Sequence, residues 1–215
     1  MIAANDGKKL LQQAIRLEFG PELSRDSFVP VSSLHWARED VIEDCAVRDS
    51  ILLVPHFSID RTQDSIELHY RIRWHKVSEI LKAAGLPTHF ADSAHVDTSI
   101  GNLMPDPGWR EILVYGDDTP ESLGRALGSA WRDVVRPFSI RARRLSLAAS
   151  TYLSETRLTG PNRDWVRAAA LALVGSTQDA EEALARIREQ ADQGDLDEDV
   201  AARLPAFVRL LRERR

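Results

Sequence analysis

The chain of 215 residues holds a single cysteine, Cys45, two methionines, and no apolar run longer than the seven residues 168–174. One thiol excludes an intrachain disulfide, and seven apolar residues fall far short of the roughly 18 that a membrane-spanning helix requires. The first twenty residues contain no continuous apolar stretch of the signal-peptide kind, so a cytosolic location is expected. Gly-x-Gly is absent, Gly7-Lys8 has no upstream glycine to complete a P-loop, and no histidine is followed by Glu. Gly-x-Ser-x-Gly and Cys-x-x-Cys are missing too. These gaps remove the dinucleotide, Walker, zincin and nucleophile-elbow signatures, and with them the familiar enzymes that carry those motifs. No cofactor is called for.

A basic excess is also lacking. Against 33 Asp and Glu stand 28 Lys and Arg, a net charge of −5 with an isoelectric point near 5.7, which disfavours wholesale binding to a phosphate backbone. Arginine outnumbers lysine 24 to 4 and is spread along the whole chain, as a GC-rich genome would produce.

What is present describes an ordinary globular protein: 43% hydrophobic and 28% charged residues give a sizeable core and no disorder signature. The length suits one domain with an appendage or two small ones. Leu10, Leu11, Ala14, Ile15 and Phe19 follow helical spacing over residues 8–19, and Gly20-Pro21 is expected to stop that helix. From Phe28 the period becomes two: residues 28–36 and 50–59 read as strands joined by an acidic connection with Glu39, Asp40, Glu43 and Asp44. The clearest strand spans residues 65–75, with Ile66, Leu68, Tyr70, Ile72 and Trp74 on one face and Glu67, His69, Arg71, Arg73 and His75 on the other. Residues 61–64 should link it to the preceding strand as a hairpin. A short helix ends at Gly85, and extended segments follow over 95–103 and 109–115 around a turn at 105–108.

Asp118-Thr119-Pro120 starts the best helix, whose stripe runs from Leu123 to Phe138; Gly124 and Gly128 beside it suggest close approach to a sheet. After Thr159-Gly160-Pro161 the pattern is purely helical, with segments over 164–174, 179–191 and 197–212, the last kinked by Pro205 or starting late near Leu204. The expected fold is α+β: an antiparallel sheet of about five strands with helices on one face, as residues 1–158, followed by a helical subdomain at 159–215.

All six histidines, His35, His56, His69, His75, His89 and His95, fall at or before residue 95, in the predicted sheet region. His95 and Asp97 share a strand face, where the carboxylate would orient the imidazole and raise its pKa, giving a general base. Arg71 and Arg73, with His69 beside them, could bind an anion through forked donors. His69 and His75 stand roughly 20 Å apart along a regular strand, too far to share one metal ion, and no metal site is assigned. The competing reading is a solvated strand face. Cys45 sits among acids that would raise its pKa, a poor nucleophile. The five tryptophans Trp36, Trp74, Trp109, Trp131 and Trp165 fall at core positions, Trp109 nearest a loop.

Residues 125–144 hold Arg125, Arg132, Arg136, Arg141, Arg143 and Arg144 against Asp133 alone. They either pair with the acids of residues 39–67 or, if solvent-facing, form a patch for phosphate, nucleic acid or an acidic protein, with Arg141, Arg143 and Arg144 as binding candidates. Aromatic interleaving for base stacking is thin.

The stretch Thr98-Ser99-Ile100-Gly101-Asn102-Leu103-Met104, then Pro107-Gly108-Trp109-Arg110-Glu111-Ile112-Leu113 and a long helix, resembles a family of bacterial domains of unknown function. The resemblance covers residues 8 to about 150 and implies an α+β domain, of accessory or immunity type, with no catalytic motif. Three functions follow as expectations. The first is a non-enzymatic module that binds a protein partner through the polar sheet face or the C-terminal helices. The second is a hydrolase for an anionic substrate using His95 and Asp97, and the third a nucleic-acid-associated protein. A deep pocket holding three or more of His69, His89, His95, Asp97 and Arg71 would sink the first. His95 lying more than about 10 Å from both Arg71 and Arg73, or buried against Trp109 with both ring nitrogens satisfied by backbone, would count against the second.

Overall fold

The structure, a computed structural model, describes residues 4–57, 64–104, 111–155 and 162–213. Residues 61–63, the turn 105–108, Trp109 and the junction 159–161, all singled out above, lie outside the described residues. The fold is α+β, an antiparallel open sheet with helices that include the C-terminal ones.

Helix α1 (Ala4–Ala14) continues through a π-helical stretch, Ile15–Phe19, into α2 (Gly20–Arg25), so Gly20-Pro21 does not stop the helix as expected. In the π register the Gly20 N–H reaches back to the Ile15 carbonyl, and Pro21, which has no N–H to offer, falls in the first turn of α2. A Cβ at residue 20 would stand 2.9 Å from the Ile15 carbonyl oxygen, so glycine lets this turn close.

Strands β1 (Val29–Ser32), β2 (His35–Ile42), β3 (Cys45–His56) and β4 (Asp64–Trp74) lie side by side in that order. The expected acidic connection is instead the tip of a hairpin. Glu43 and Asp44, at φ 53° and 56°, both take left-handed backbone, as a two-residue type I′ turn demands. That turn is usually announced by Asn-Gly, and Glu-Asp gives no such signal. The β1–β2 turn is equally tight, with Ser32 paired to His35.

β4 buries Ile66, Leu68, Tyr70, Ile72 and Trp74, as its alternation predicts. It ends at Trp74, and His75 opens α3 (His75–Ala83), so His69 and His75 share no strand face. After α4 (Thr88–Ala91) comes β5 (Val96–Ser99), beside β4 in the sheet, and a helical turn, α5 (Ile100–Leu103), where a continued strand was expected. β6 (Ile112–Val114) pairs antiparallel with the start of β4. The long helix comprises α6 (Pro120–Ser129), a π-helical stretch Ala130–Val135, and α7 (Arg136–Ala142). Its start is a capping box of Thr119 and Ser122. Then follow α8 (Leu145–Ser150), α9 (Arg163–Leu173), α10 (Thr177–Gln193), α11 (Glu198–Ala201) and α12 (Leu204–Glu213). Starting at Leu204, α12 takes Pro205 into its first turn, where proline costs nothing.

By contacts the chain forms two units: Met1–Arg38, Asp49–Arg71 and Thr98–Ile140 make the first, and Glu39–Arg48, Ile72–Asp97 and Arg141–Arg215 the second. The helices after residue 158 thus belong with α3 and α4.

In the first unit α6 packs on α1 and the adjoining π stretch. Gly124 serves that helix contact, not the sheet contact expected from the sequence: a Cβ there would lie 2.5 Å from Glu18 Cβ and 3.1 Å from the Ala14 carbonyl oxygen. The core holds a charged centre around Asp49. Asp49 has no exposed side-chain surface, and Arg38 grips it with Nε at 3.0 Å and Nη2 at 2.9 Å while the Tyr70 hydroxyl donates to it at 2.7 Å. Arg38 also covers the Phe28 ring at 4.4 Å and donates to the Asp26 carbonyl at 3.0 Å. Trp131 Nε1–H and Arg136 Nε–H donate to the Asp26 carboxylate at 2.7 and 3.1 Å.

In the second unit α9 and α10 form the expected helical hairpin, α3 packs on α9, and α12 on α3. Trp165 meets Phe207 at 4.9 Å between ring centres. Trp74 is fully buried, its indole N–H donating to the Arg143 carbonyl at 2.9 Å.

Asp49→Ala leaves Arg38 charged and unmatched, and should lower unfolding free energy by about 3–5 kcal/mol, read as a shift in urea midpoint. Gly124→Ala should cost about 1–3 kcal/mol by overpacking a helix contact. Gly128→Ala, whose new methyl meets only the flexible end of Arg132 at 3.0 Å, should be neutral or gain up to about 1 kcal/mol from helix propensity. Equal losses at both glycines would contradict this account.

Candidate functional site

A cavity of about 460 Å³ opens in the second unit, within the size range of small-ligand sites. Four local features build it. Asn162 stands at the N-cap of α9, with Arg163 and Val166 following on the helix. α10 ends on Gly194 (φ +76°), whose left-handed backbone lets the Asp195 N–H bond the Gln190 carbonyl, and the chain then turns through Leu196 and Asp197 into α11. The single turn α4 carries His89 and Phe90, and the approach to β5 carries His95 and Asp97. Phe90, Val166, Leu196 and Val200 supply an apolar lining, and the polar groups stand around it.

The cavity therefore brings together three residues that the sequence singled out, His89, His95 and Asp97. Their states differ. His95 is 1% exposed and its ring stacks on Trp74 at 5.7 Å with 13° between planes. The Trp74 backbone N–H donates to Nδ1 at 3.1 Å, so that nitrogen is unprotonated, and Nε2 faces the Ser78 hydroxyl at 3.5 Å. Burial, with the charges of Arg73 and His75, pushes the His95 pKa down to about 3. The sequence reading expected Asp97 to raise it; burial outweighs any such effect. With Nδ1 accepting from backbone, the buried His95 is poorly placed to act as a general base. His89 is exposed at the rim, and Asp97 is half-buried.

The anion-binding candidates lie elsewhere. Arg73 pairs with Asp92 at 3.5 Å, and the charged Lys82 at 2.7 Å holds that carboxyl below its usual range. Arg71 is half-buried on β4, and His69 contacts Glu67 at 3.1 Å; neither lines the cavity. Three of the six arginines of the basic segment are in ion pairs with acids. Arg132 pairs with Glu22 at 3.3 Å, Arg136 with Asp26 at 3.1 Å, and the buried Arg143 with Asp40 at 2.9 Å, while Arg141 and Arg144 are exposed. Cys45 is buried, and burial pushes its thiol pKa up, the direction expected for a different reason. Among the described residues no three of His, Cys, Asp and Glu are grouped as metal ligands would be.

Among the cavity residues that escaped the sequence reading are Asn162, Asp195 and Asp197. The two acids set the cavity's character, since Arg163 is already paired with Asp164 at 3.4 Å. No family model, curated protein or solved structure matches the chain.

The His95 geometry has a pH consequence. Its folded-state pKa lies below the unfolded value near 6.5, so the unfolded chain binds the extra proton between those limits. Stability is full above about pH 6.5 and falls toward pH 3, by up to about 1.4 kcal/mol per pH unit from this group. Nitrogen NMR should find His95 neutral with the proton on Nε2 down to pH 5; an imidazolium at pH 5.5 would refute the assignment.

Proposed function

We propose that the protein is a non-enzymatic interaction module, a cytosolic bacterial protein of accessory or immunity type, that holds a protein partner at the cavity formed by α4, α9 and the 195–197 turn. The observation that carries this reading is the engagement of both His95 ring nitrogens, by the Trp74 backbone and by Ser78. The cavity does hold three of the five residues whose gathering the sequence reading set against such a module, His89, His95 and Asp97, and this is the observation that favours chemistry. Against a His/Asp hydrolase weigh the engagement of the imidazole nitrogens and the position of Arg71 and Arg73, which do not line the cavity. Arg132, Arg136 and Arg143, each in an ion pair, weigh against a nucleic-acid surface on the 125–144 segment.

The test is affinity capture from extracts of the source cells with the wild-type chain and with an Asp195→Lys, Asp197→Lys variant, both checked for native circular dichroism. A protein recovered in near-stoichiometric amount by the wild type, and reduced at least about tenfold (about 1.4 kcal/mol) by the variant, is expected. Equal recovery by both, or none by either, overturns the reading. So does hydrolysis of an anionic ester by the wild type that Asp97→Ala abolishes.

A further inference from the structure

The occupant of the cavity is legible in its charges. Asp195 and Asp197 are exposed on its wall and have no ion pair among the described residues, and Asp197 makes no capping hydrogen bond to α11. Asn162 supplies an independent observation. It is 9% exposed, it lines the cavity, it makes no capping bond to α9, and its carboxamide has no partner among the described residues. Its amide atoms are not among the solvent-sealed ones that lack a partner, so they are open to a ligand that enters the cavity.

Which sign of charge it awaits is decided by magnitude. The start of α9 contributes about half a positive charge, and the Arg163 guanidinium is neutralised by Asp164. Two full unpaired carboxylates outweigh that half charge. Phe90, Leu196 and Val200 give an apolar wall beside the acids, which suits an aliphatic stem carrying a cationic head.

We propose that this cavity receives one protonated amine or guanidinium on an aliphatic stem, the side chain of a lysine or arginine presented by the partner, with the Asn162 carboxamide oxygen accepting from it and Asp195 and Asp197 balancing its charge. The proposal rests on the interaction reading for the source of the cation, and on the cavity alone for its chemistry.

The probes are N-acetyl-lysine methylamide, its uncharged norleucine analogue, the glutamate analogue, agmatine, and a short lysine-containing peptide. The readout is NMR of the Asn162 side-chain amide and the 195–197 backbone amides. The lysine probe should shift these signals saturably, more weakly at high salt, and the norleucine probe should not. Asn162→Asp, which keeps a good N-cap, should tighten lysine binding about two- to fivefold, and Asn162→Ala should weaken it about tenfold. Equal binding of the norleucine analogue would sink the proposal. So would preferred binding of the glutamate analogue with loss on Asn162→Asp, which would make the site an anion site at the start of α9. Agmatine binding more than tenfold tighter than the peptide would overturn the partner side chain as source. Failure of every cationic probe, with partner capture intact, would refute this inference and leave the module reading standing. Binding of the lysine probe with no partner captured would do the reverse.

Discussion

A carboxylate buried without water must keep a cation on it, and in the first unit Asp49 imposes that condition on three adjacent strands. Arg38 on β2, Asp49 on β3 and Tyr70 on β4 stand in one line across the sheet. Slipping β3 by one residue would turn Asp49 outward and bury Arg48 or Ser50 in its place, leaving Arg38 unmatched inside. The triad thus fixes register as well as satisfying charge. Its reach extends further through Asp26, whose carbonyl takes Arg38 and whose carboxylate takes Trp131 and Arg136, so the end of α2 and the long helix answer to the same buried charge.

The two longest helical runs solve a second problem in the same way. Pro21 and Pro137 each come two residues after a π-helical stretch, Ile15–Phe19 and Ala130–Val135, and each run continues past its proline. A proline within a regular α-helix loses one hydrogen bond and clashes with the carbonyl four residues earlier. Widening the preceding turn moves the N–H of residues 20 and 136 to carbonyls five back, Ile15 and Trp131. The ring then enters what is in effect a new first turn.

This explains what could be read from the sequence and what could not. β4, the Thr119 cap, the α9–α10 hairpin and the late start of α12 were legible because each is signalled by neighbours a few residues apart. The helix through Pro21 was not, since a π stretch leaves no compositional mark. The Glu43-Asp44 turn was hidden by its lack of glycine, although Cys45, Val47, Asp49, Ile51 and Leu53 alternate at period two and all prove buried. Counting Asp49 among solvent acids obscured that alternation. His95 was found by type and placement, but its protonation state depends on Trp74 and Ser78, about twenty residues away. Asn162 and the 195–197 acids join His95 only through the packing of helices, which no local pattern reports.

The two units treat buried polarity in opposite ways, and the contrast separates structure from function. At Asp49 polar groups close on one another: a bidentate arginine and a tyrosine hydroxyl hold the carboxylate. Such a centre specifies a register. At Asn162 a polar side chain with no partner among the described residues lines an opening edged by Asp195 and Asp197, which have no ion pair among the described residues. Its amide atoms are not sealed from solvent, and the side chain makes no capping bond to α9. A hydrogen-bond donor carrying positive charge can reach it there, which is why the cavity at Asn162, and not the more heavily charged cluster at Asp49, is where binding is to be sought.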